Sequence, residues 1–214
     1  MADALAEWRD ISVAFDAATP AWPGDTPFSC GWSSGIADGA SVNVSRWVMS
    51  PHVGTHADAP LHVLRDGAGA DQLPLAPFLG EAIVVDVRDL TGPISRAALE
   101  QRGAFPGVRR LLLRTGHSTA SGAFPAAWPA LDPDAATALV TAGLVLLGVD
   151  APSVDDRESK SLTVHRALFG AGAYLLENLD LRGVASGKYQ LLALPLKTGA
   201  VDAAPARAFL RSIG

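Results

Sequence analysis

The sequence predicts a mixed α/β fold, a single domain over residues 1–214 built on a central mixed β-sheet. Through the middle of the chain, short apolar runs alternate with capped helical segments, the order expected of a sheet covered by helices. Both ends are richer in strands, which favours a mixed sheet over a purely parallel one. No linker, charge run or internal repeat divides the chain, and its Gly and Pro are dispersed as turns between short elements.

Residues 15–40 are rich in Pro, Gly, Ser and Asp and read as a long loop, a feature that tends to be functional inside a compact domain. Val42 to Met49 (Val-Asn-Val-Ser-Arg-Trp-Val-Met) alternates and reads as a strand. It runs into a histidine-rich segment, which is therefore expected at a strand end and the turn beyond. Ala82 to Val87 is apolar and β-branched, a buried strand. Ser95 to Arg102 reads as a short helix with Ser95 as N-cap and Gly103 as its stop. Val108 to Arg114 is another strand. Asp132-Pro133 opens a helix that continues to about Ala142, with Gly143 at its end. Leu144 to Val149 is a buried strand ending at Asp150. Ser161 to Leu168 reads as a helix stopped by Gly170, and Tyr174 to Leu176 and Gln190 to Leu194 as strands. Ala206 to Ile213 fits either a helix or a strand.

Nearly half of the 214 residues are hydrophobic and 18% are charged, the balance of a well-buried globular chain. The net charge of −5 and the lack of any Lys/Arg run argue against nucleic acid or an anionic membrane as partner. Cys30 is the only cysteine, so neither an intrachain disulfide nor a cysteine-based metal site can form, and a reducing cytoplasm fits. Met1 to Ile11 carries Asp3, Glu7, Arg9 and Asp10 and lacks the basic start and apolar core of a secretory signal. The longest apolar run, Leu139 to Val149, is broken by Thr141 and Gly143 and falls short of a membrane span.

The densest chemistry lies in Ser50-Pro51-His52-Val53-Gly54-Thr55-His56-Ala57-Asp58-Ala59-Pro60-Leu61-His62. Three of the five histidines and one carboxylate fall within eleven residues. Imidazole and carboxylate together suit a borderline divalent ion such as zinc. The run His-x3-His-x-Asp-x3-His holds more ligand-type groups than one open catalytic ion needs. Two ions, or one ion with a free base beside it, are both compatible with it.

Completing such a site needs ligands from elsewhere. His165, on the expected helix, and Glu177, at the end of an apolar strand, are candidates that spacing alone supports only weakly. Asp150 and Asp155 close a buried strand and fit the ordinary task of binding turn amides. His117, at another strand end, reads as a solvent-facing loop residue. Trp22, in a Pro-rich loop, either anchors neighbours or stacks on a planar ligand. No Gly-x-Ser-x-Gly elbow, phosphate-binding Gly-rich loop or dinucleotide fingerprint competes with the metal reading.

His52-x-Gly54-Thr55-His56-x-Asp58-x-Pro60-x-His62 resembles the motif of the cyclase-like metal hydrolases, which include bacterial kynurenine formamidases and isatin hydrolases. The resemblance extends to Thr19-Pro20-Ala21-Trp22-Pro23-Gly24-Asp25, to Gly148 through Asp155, to Ser159-Lys160-Ser161-Leu162 with His165, and to Leu176-Glu177-Asn178-Leu179. It implies a swivelling β/β/α-type fold, a homodimer and a two-zinc site, with manganese as the alternative metal. By position it makes His52, His56 and Asp58 ligands of one ion. Asp58 would bridge to a second ion held by His165, and Glu177 would touch both. His62 is left as general acid/base and Trp22 as a substrate contact. The Trp22 loop and the Leu176–Leu179 segment are most similar to the kynurenine formamidase branch. That branch implies hydrolysis of N-formyl-L-kynurenine to L-kynurenine and formate in tryptophan degradation. An isatin hydrolase or another cyclic or aryl amide hydrolase is the alternative. In a different class, a non-catalytic metal-binding protein would use His62 as an ordinary ligand of a closed ion.

Overall fold

The computed structural model describes residues 7–105 and 107–213, so the start of the Met1–Ile11 stretch lies outside the described residues. Its strands are β1 (Trp8–Asp10), β2 (Ser29–Ser34), β3 (Val44–Val48), β4 (His56–Asp58), β5 (Leu79–Asp86), β6 (Arg110–Arg114), β7 (Leu146–Val149), β8 (Tyr174–Leu176), β9 (Gly187–Pro195) and β10 (Ala203–Ser212). Three α-helices sit between the central strands: α1 (Arg96–Gln101), α2 (Pro133–Thr141) and α3 (Thr163–Gly170). Ser95 caps α1 by accepting from Ala98 N, and Asp132 caps α2 by accepting from Asp134 N, with Pro133 in the first turn.

β5, β6, β7 and β8 pair in parallel, each joined to the next through one helix. β9 then adds antiparallel to β5, β10 to β9 and β1 to β10, in the order β1-β10-β9-β5-β6-β7-β8. The sheet is therefore mixed, as expected. It also curls. β4 pairs antiparallel with the start of β10, and its His56 forms a bridge with Glu177, just past β8. One short strand thus joins the two sides of the sheet.

The period-2 alternation of the strands sorts their side chains into two cores. Val85, Leu111, Leu113, Leu147, Val149 and Leu175 meet Leu99 of α1, Ala135, Ala136 and Leu139 of α2, and Val164 and Leu168 of α3. The alternate residues Ala82, Val84, Leu112, Leu146, Leu176, Leu191, Ala193, Ala208 and Leu210 fill the inside of the curl together with Ala57 of β4. Both layers are apolar, which explains why the central strands read as near-continuous hydrophobic runs.

Three expectations are corrected. The loop read over residues 15–40 contains β2, whose Ser- and Gly-rich sequence carries little strand preference and forms by pairing with β3. The strand read at Val42 to Met49 exists as β3, but it pairs with β2 alone and all its residues are exposed. Alternation identifies a strand without saying which sheet it joins. The histidine segment is not all strand end and turn: His52 lies in the turn beyond β3, but His56 to Asp58 is itself a strand between two others. The ambiguous C-terminal segment is strand, fixed by partners on both sides. Among the described residues no helix is long and apolar enough to cross a membrane.

Candidate metal centre

The centre grows out of β4. Ala57 points into the curl, so His56 and Asp58 point together to the other face. His56 and Glu177 exchange both backbone hydrogen bonds (3.3 and 3.0 Å), which makes their side chains cross-strand neighbours. Gly54 turns the chain just before β4 at φ +70, where a Cβ would stand 3.0 Å from Val13 O. Only glycine fits there without strain, and the turn brings His52 back against His56. His165 arrives from the first turn of α3. Asp58 is fully buried, and His56, His165 and Glu177 are nearly so.

Each imidazole is held by one nitrogen and presents the other. His56 Nδ1 donates to Gly54 O (3.0 Å), His165 Nδ1 to Asp155 Oδ2 (2.6 Å) and His52 Nε2 to Asp202 Oδ2 (2.9 Å). The acceptors are a carbonyl and two carboxylates, so the bonded nitrogen carries a proton, and in the neutral ring the opposite one offers its lone pair. All three free nitrogens converge on Asp58. His52 Nδ1, His56 Nε2 and Asp58 Oδ1 form a triangle with edges of 3.1, 3.1 and 3.2 Å. A four- or six-coordinate ion with bonds of about 2.0–2.1 Å spaces its ligands by about 2.9–3.4 Å. Oriented imidazoles backed by carboxylates or carbonyls are the usual outer shell of a metal site.

The second oxygen faces the other way. Asp58 Oδ2 is 3.2 Å from His165 Nε2, which is also 3.4 Å from Glu177 Oε1. Glu177 Oε2 is 3.7 Å from His56 Nε2, and its Oε1 accepts from Val154 N at 2.9 Å. Both carboxylates therefore span from one half of the cluster to the other. Despite its close neighbours, Asp58 Oδ1 makes no properly directed hydrogen bond. An orphaned oxygen on a buried carboxylate costs several kcal/mol unless a cation meets it. The residues present fit a divalent metal.

The electrostatics agree. Burial works to raise Asp58, but the His165, His52 and His56 imidazoles hold it well below the usual carboxylate range. Burial and then the Asp58 charge push Glu177 up. Burial works to lower His52, yet Asp202 and Asp58 outweigh it and bring it up to about 10. His165 is likewise opposed by burial and raised to about 10 by Asp155 and Asp58. Without metal the cluster holds protons where a cation would sit. Between pH 6.5 and 10 the stripped native state binds more protons than the unfolded chain, so its stability falls as pH rises. Metal uptake displaces those protons, so affinity rises over the same range, about tenfold per pH unit for each proton displaced. Thermal melts and zinc titrations of stripped protein at pH 6.5 and 9.5 are expected to move in these opposite directions. Metal uptake without proton release would contradict the protonation of His52 and His165 in the stripped protein.

His62 stands at the rim on a 3-10 turn, with its ring centre 4.6 Å from that of His52 and 5.7 Å from that of His165. Its Nδ1 is 3.4 Å from Asp202 Oδ2 and its side chain is 27% exposed. The rim opens into a cleft of about 290 Å³ whose lining includes Trp22, Phe124, Arg157, Lys160 and Asn178. Trp22 packs edge-on against Phe124 and Trp128 (5.4 and 5.9 Å between ring centres), so it both anchors neighbours and lines the cleft.

Every residue of the sequence-derived site, His52, His56, Asp58, His62, His165, Glu177 and Trp22, thus falls in one place. His117 does not: its Nδ1 donates to Thr115 O and it borders a separate groove. Asp150 accepts from Thr115 N and Oγ1 and Gly116 N, the turn role expected of it. Asp155 does bind amides, those of Val164 and His165, and also orients the His165 ring. Asp202 was missed. It stands at the head of β10, held to Ala59 by register, and no local pattern marks it.

Residues 9–156 match the family described as "Putative cyclase", and the chain belongs to that family. Within it, the chain is 42% identical over 207 residues to the kynurenine formamidase of Bacillus cereus, covering 97% of this chain and 98% of that one. A solved structure titled as a potential metal-dependent hydrolase with cyclase activity is 28% identical, with a TM-score of 0.82 over 95% of this chain and 96% of that one. Isatin hydrolase A from Labrenzia aggregata shares the fold at 23% identity, with a TM-score of 0.82 over 99% of this chain and 96% of that one.

Proposed function

We propose that this chain is a metal-dependent arylformamidase that hydrolyses N-formyl-L-kynurenine to L-kynurenine and formate in tryptophan degradation. The observation that carries the reading is a single aromatic-walled cleft ending on the converged lone pairs of His52, His56, Asp58 and His165, with His62 at its rim. Near-full-length similarity to a kynurenine formamidase supports the choice of substrate over isatin, whose hydrolases are similar at lower identity.

The site is read as holding two zinc ions, with manganese as the alternative. His52, His56 and Asp58 would bind one, His165 the other, and Asp58 and Glu177 would serve both. Ions so held would bring the pKa of water to about 7 and polarise the formyl oxygen. The chain's own residues do the rest. Asp202, Gly54 and Asp155 hold the three ligand rings in register. The wall of Trp22 and Phe124 receives the aryl ring and excludes water. As the formyl C–N bond breaks and a C–O bond forms, the departing aniline nitrogen needs a proton. His62 supplies it from Nε2, its Nδ1 being turned to Asp202.

The reading includes a cytoplasmic homodimer. Supporting self-association, the β2–β3 ribbon and the turn that joins its strands leave Trp32, Ile36, Val44, Trp47 and Val48 exposed, large apolar side chains of the kind found at interaction sites.

The test is hydrolysis of N-formyl-L-kynurenine, isatin and formanilide side by side by zinc-loaded protein. The expected order puts the highest kcat/KM on N-formyl-L-kynurenine. A higher value for isatin would transfer the assignment to the isatin hydrolases. No turnover of any of them by protein shown to carry metal would favour a non-catalytic metal-binding role.

A further inference from the structure

Outside the His/Asp/Glu cluster, the cleft is lined by three charged side chains: Asp25, Arg157 and Lys160. Both cations come from one loop, residues 156–162, between β7 and α3. That loop is pinned by its own hydrogen bonds. Glu158 N donates to Asp156 Oδ1 (2.8 Å), Ser159 N to Asp156 O (3.0 Å) and Leu162 N to Ser159 Oγ (3.1 Å). Arg157 is held further. One of its amino groups donates to Ala126 O at 3.0 Å, and its guanidinium carbon lies 5.6 Å from the centre of the Phe124 ring.

Among the described residues neither cation has a close ion pair. Arg157 meets Glu158 at 3.9 Å, with Glu158 82% exposed, a screened contact of little value. Lys160 forms no ion pair among the described residues. Two uncompensated cations on a fixed loop create a local positive potential in a cleft whose floor is otherwise acidic. Among the described residues no buried carboxylate balances their charge, and a neutral aryl amide would gain nothing from it.

We propose that Arg157 and Lys160 form a carboxylate subsite that selects aryl amides carrying an acidic tail. The inference rests on the arylformamidase reading and specifies how its substrate is recognised. The amide is presented to the metal centre, the aryl ring to Trp22 and Phe124, and the α-carboxylate of the amino-acid tail to the two cations. Guanidinium geometry suits a carboxylate in particular, because its planar fork can donate two parallel hydrogen bonds. Asp25, whose carboxylate accepts from Ser50 Oγ at 3.2 Å, lines the same cleft and is the counter-charge for the α-ammonium group of a zwitterionic tail.

The experiment compares kcat/KM for N-formyl-L-kynurenine with that for 2-formamidoacetophenone, which has the same reacting amide and no amino-acid tail. The ratio of the two is expected to fall about 10- to 100-fold in Lys160→Met and in Arg157→Gln, the loss typical of a charge-assisted hydrogen bond. Lys160→Arg should keep the ratio near that of the parent protein. A ratio within about twofold of the parent in both neutralised variants overturns the subsite, whether the two substrates decline together or not at all. A parent protein that hydrolyses neither formamide overturns instead the reading on which the subsite depends, and the two failures are distinct.

Discussion

Treating the metal-loaded protein with a chelator is expected to reduce formamide hydrolysis to background, and zinc is expected to restore it. Asp58→Asn should give the same loss with no chelator present. That side chain keeps its volume and loses the charge that both halves of the cluster share, through Oδ1 toward His52 and His56 and through Oδ2 toward His165. No serine or cysteine nucleophile motif offers a metal-free route. Removing the metal should also lower stability. It leaves a buried carboxylate oxygen without a directed hydrogen bond. A ligand held at 1,000 times its dissociation constant stabilises the native state by about 4 kcal/mol, and the melting temperature should rise with added zinc accordingly. Full turnover by protein shown to be metal-free would end the metal assignment. A normal rate in Asp58→Asn with full metal content would remove Asp58 from the centre.

His62→Ala is expected to keep its metal and lose kcat by about 10²–10⁴-fold, the usual contribution of a positioned general acid or base. The contrast with its neighbours is the informative part. His52 and His56 present lone pairs into the 3.1–3.2 Å triangle, so their replacement should lower metal occupancy together with rate. His62 stands farther out, at 27% side-chain exposure, and its nearest polar partner is Asp202 rather than Asp58. Its loss should matter less for formanilides whose aniline leaves more easily, because those need less help from a proton donor. Metal analysis of purified His62→Ala, with rates over a substituted series, decides the role. One ion missing would make His62 a ligand, and the cluster of Asp58, His62 and His165 is tight enough for that outcome to be informative. Full metal with near-normal rates would make it structural.

Elements whose signals are local were legible in the sequence. Ser95 and Asp132 cap helices where their capping chemistry indicated, and Tyr174 to Leu176 is a strand with those same bounds. The histidine-rich motif was legible for the same reason. His52, His56, Asp58 and His62 lie within one turn, one strand of three residues and one 3-10 turn, so their spacing almost dictates their proximity. His165 and Glu177 were weak as residues and became candidates through family resemblance. Their place was invisible locally, because it depends on β8 ending beside β4.

By itself the sequence determined that a mixed α/β chain carries a histidine and carboxylate cluster on a segment too short to scatter it, near a Trp-bearing loop. Only the tertiary structure decided what completes and tunes that cluster. The closure of the sheet through β4 sets His56 opposite Glu177 and brings Asp202 at the head of β10 against His52 and His62. The docking of α3 sets His165 against Asp58, with Asp155 behind it. The same closure left β3 outside the sheet, as half of an exposed ribbon. The physical reason is the same throughout. Periodicity and capping act over a few residues, and a sequence records them where they act. Register and closure are settled by the burial of two apolar layers shared by the whole chain, which no single segment contains.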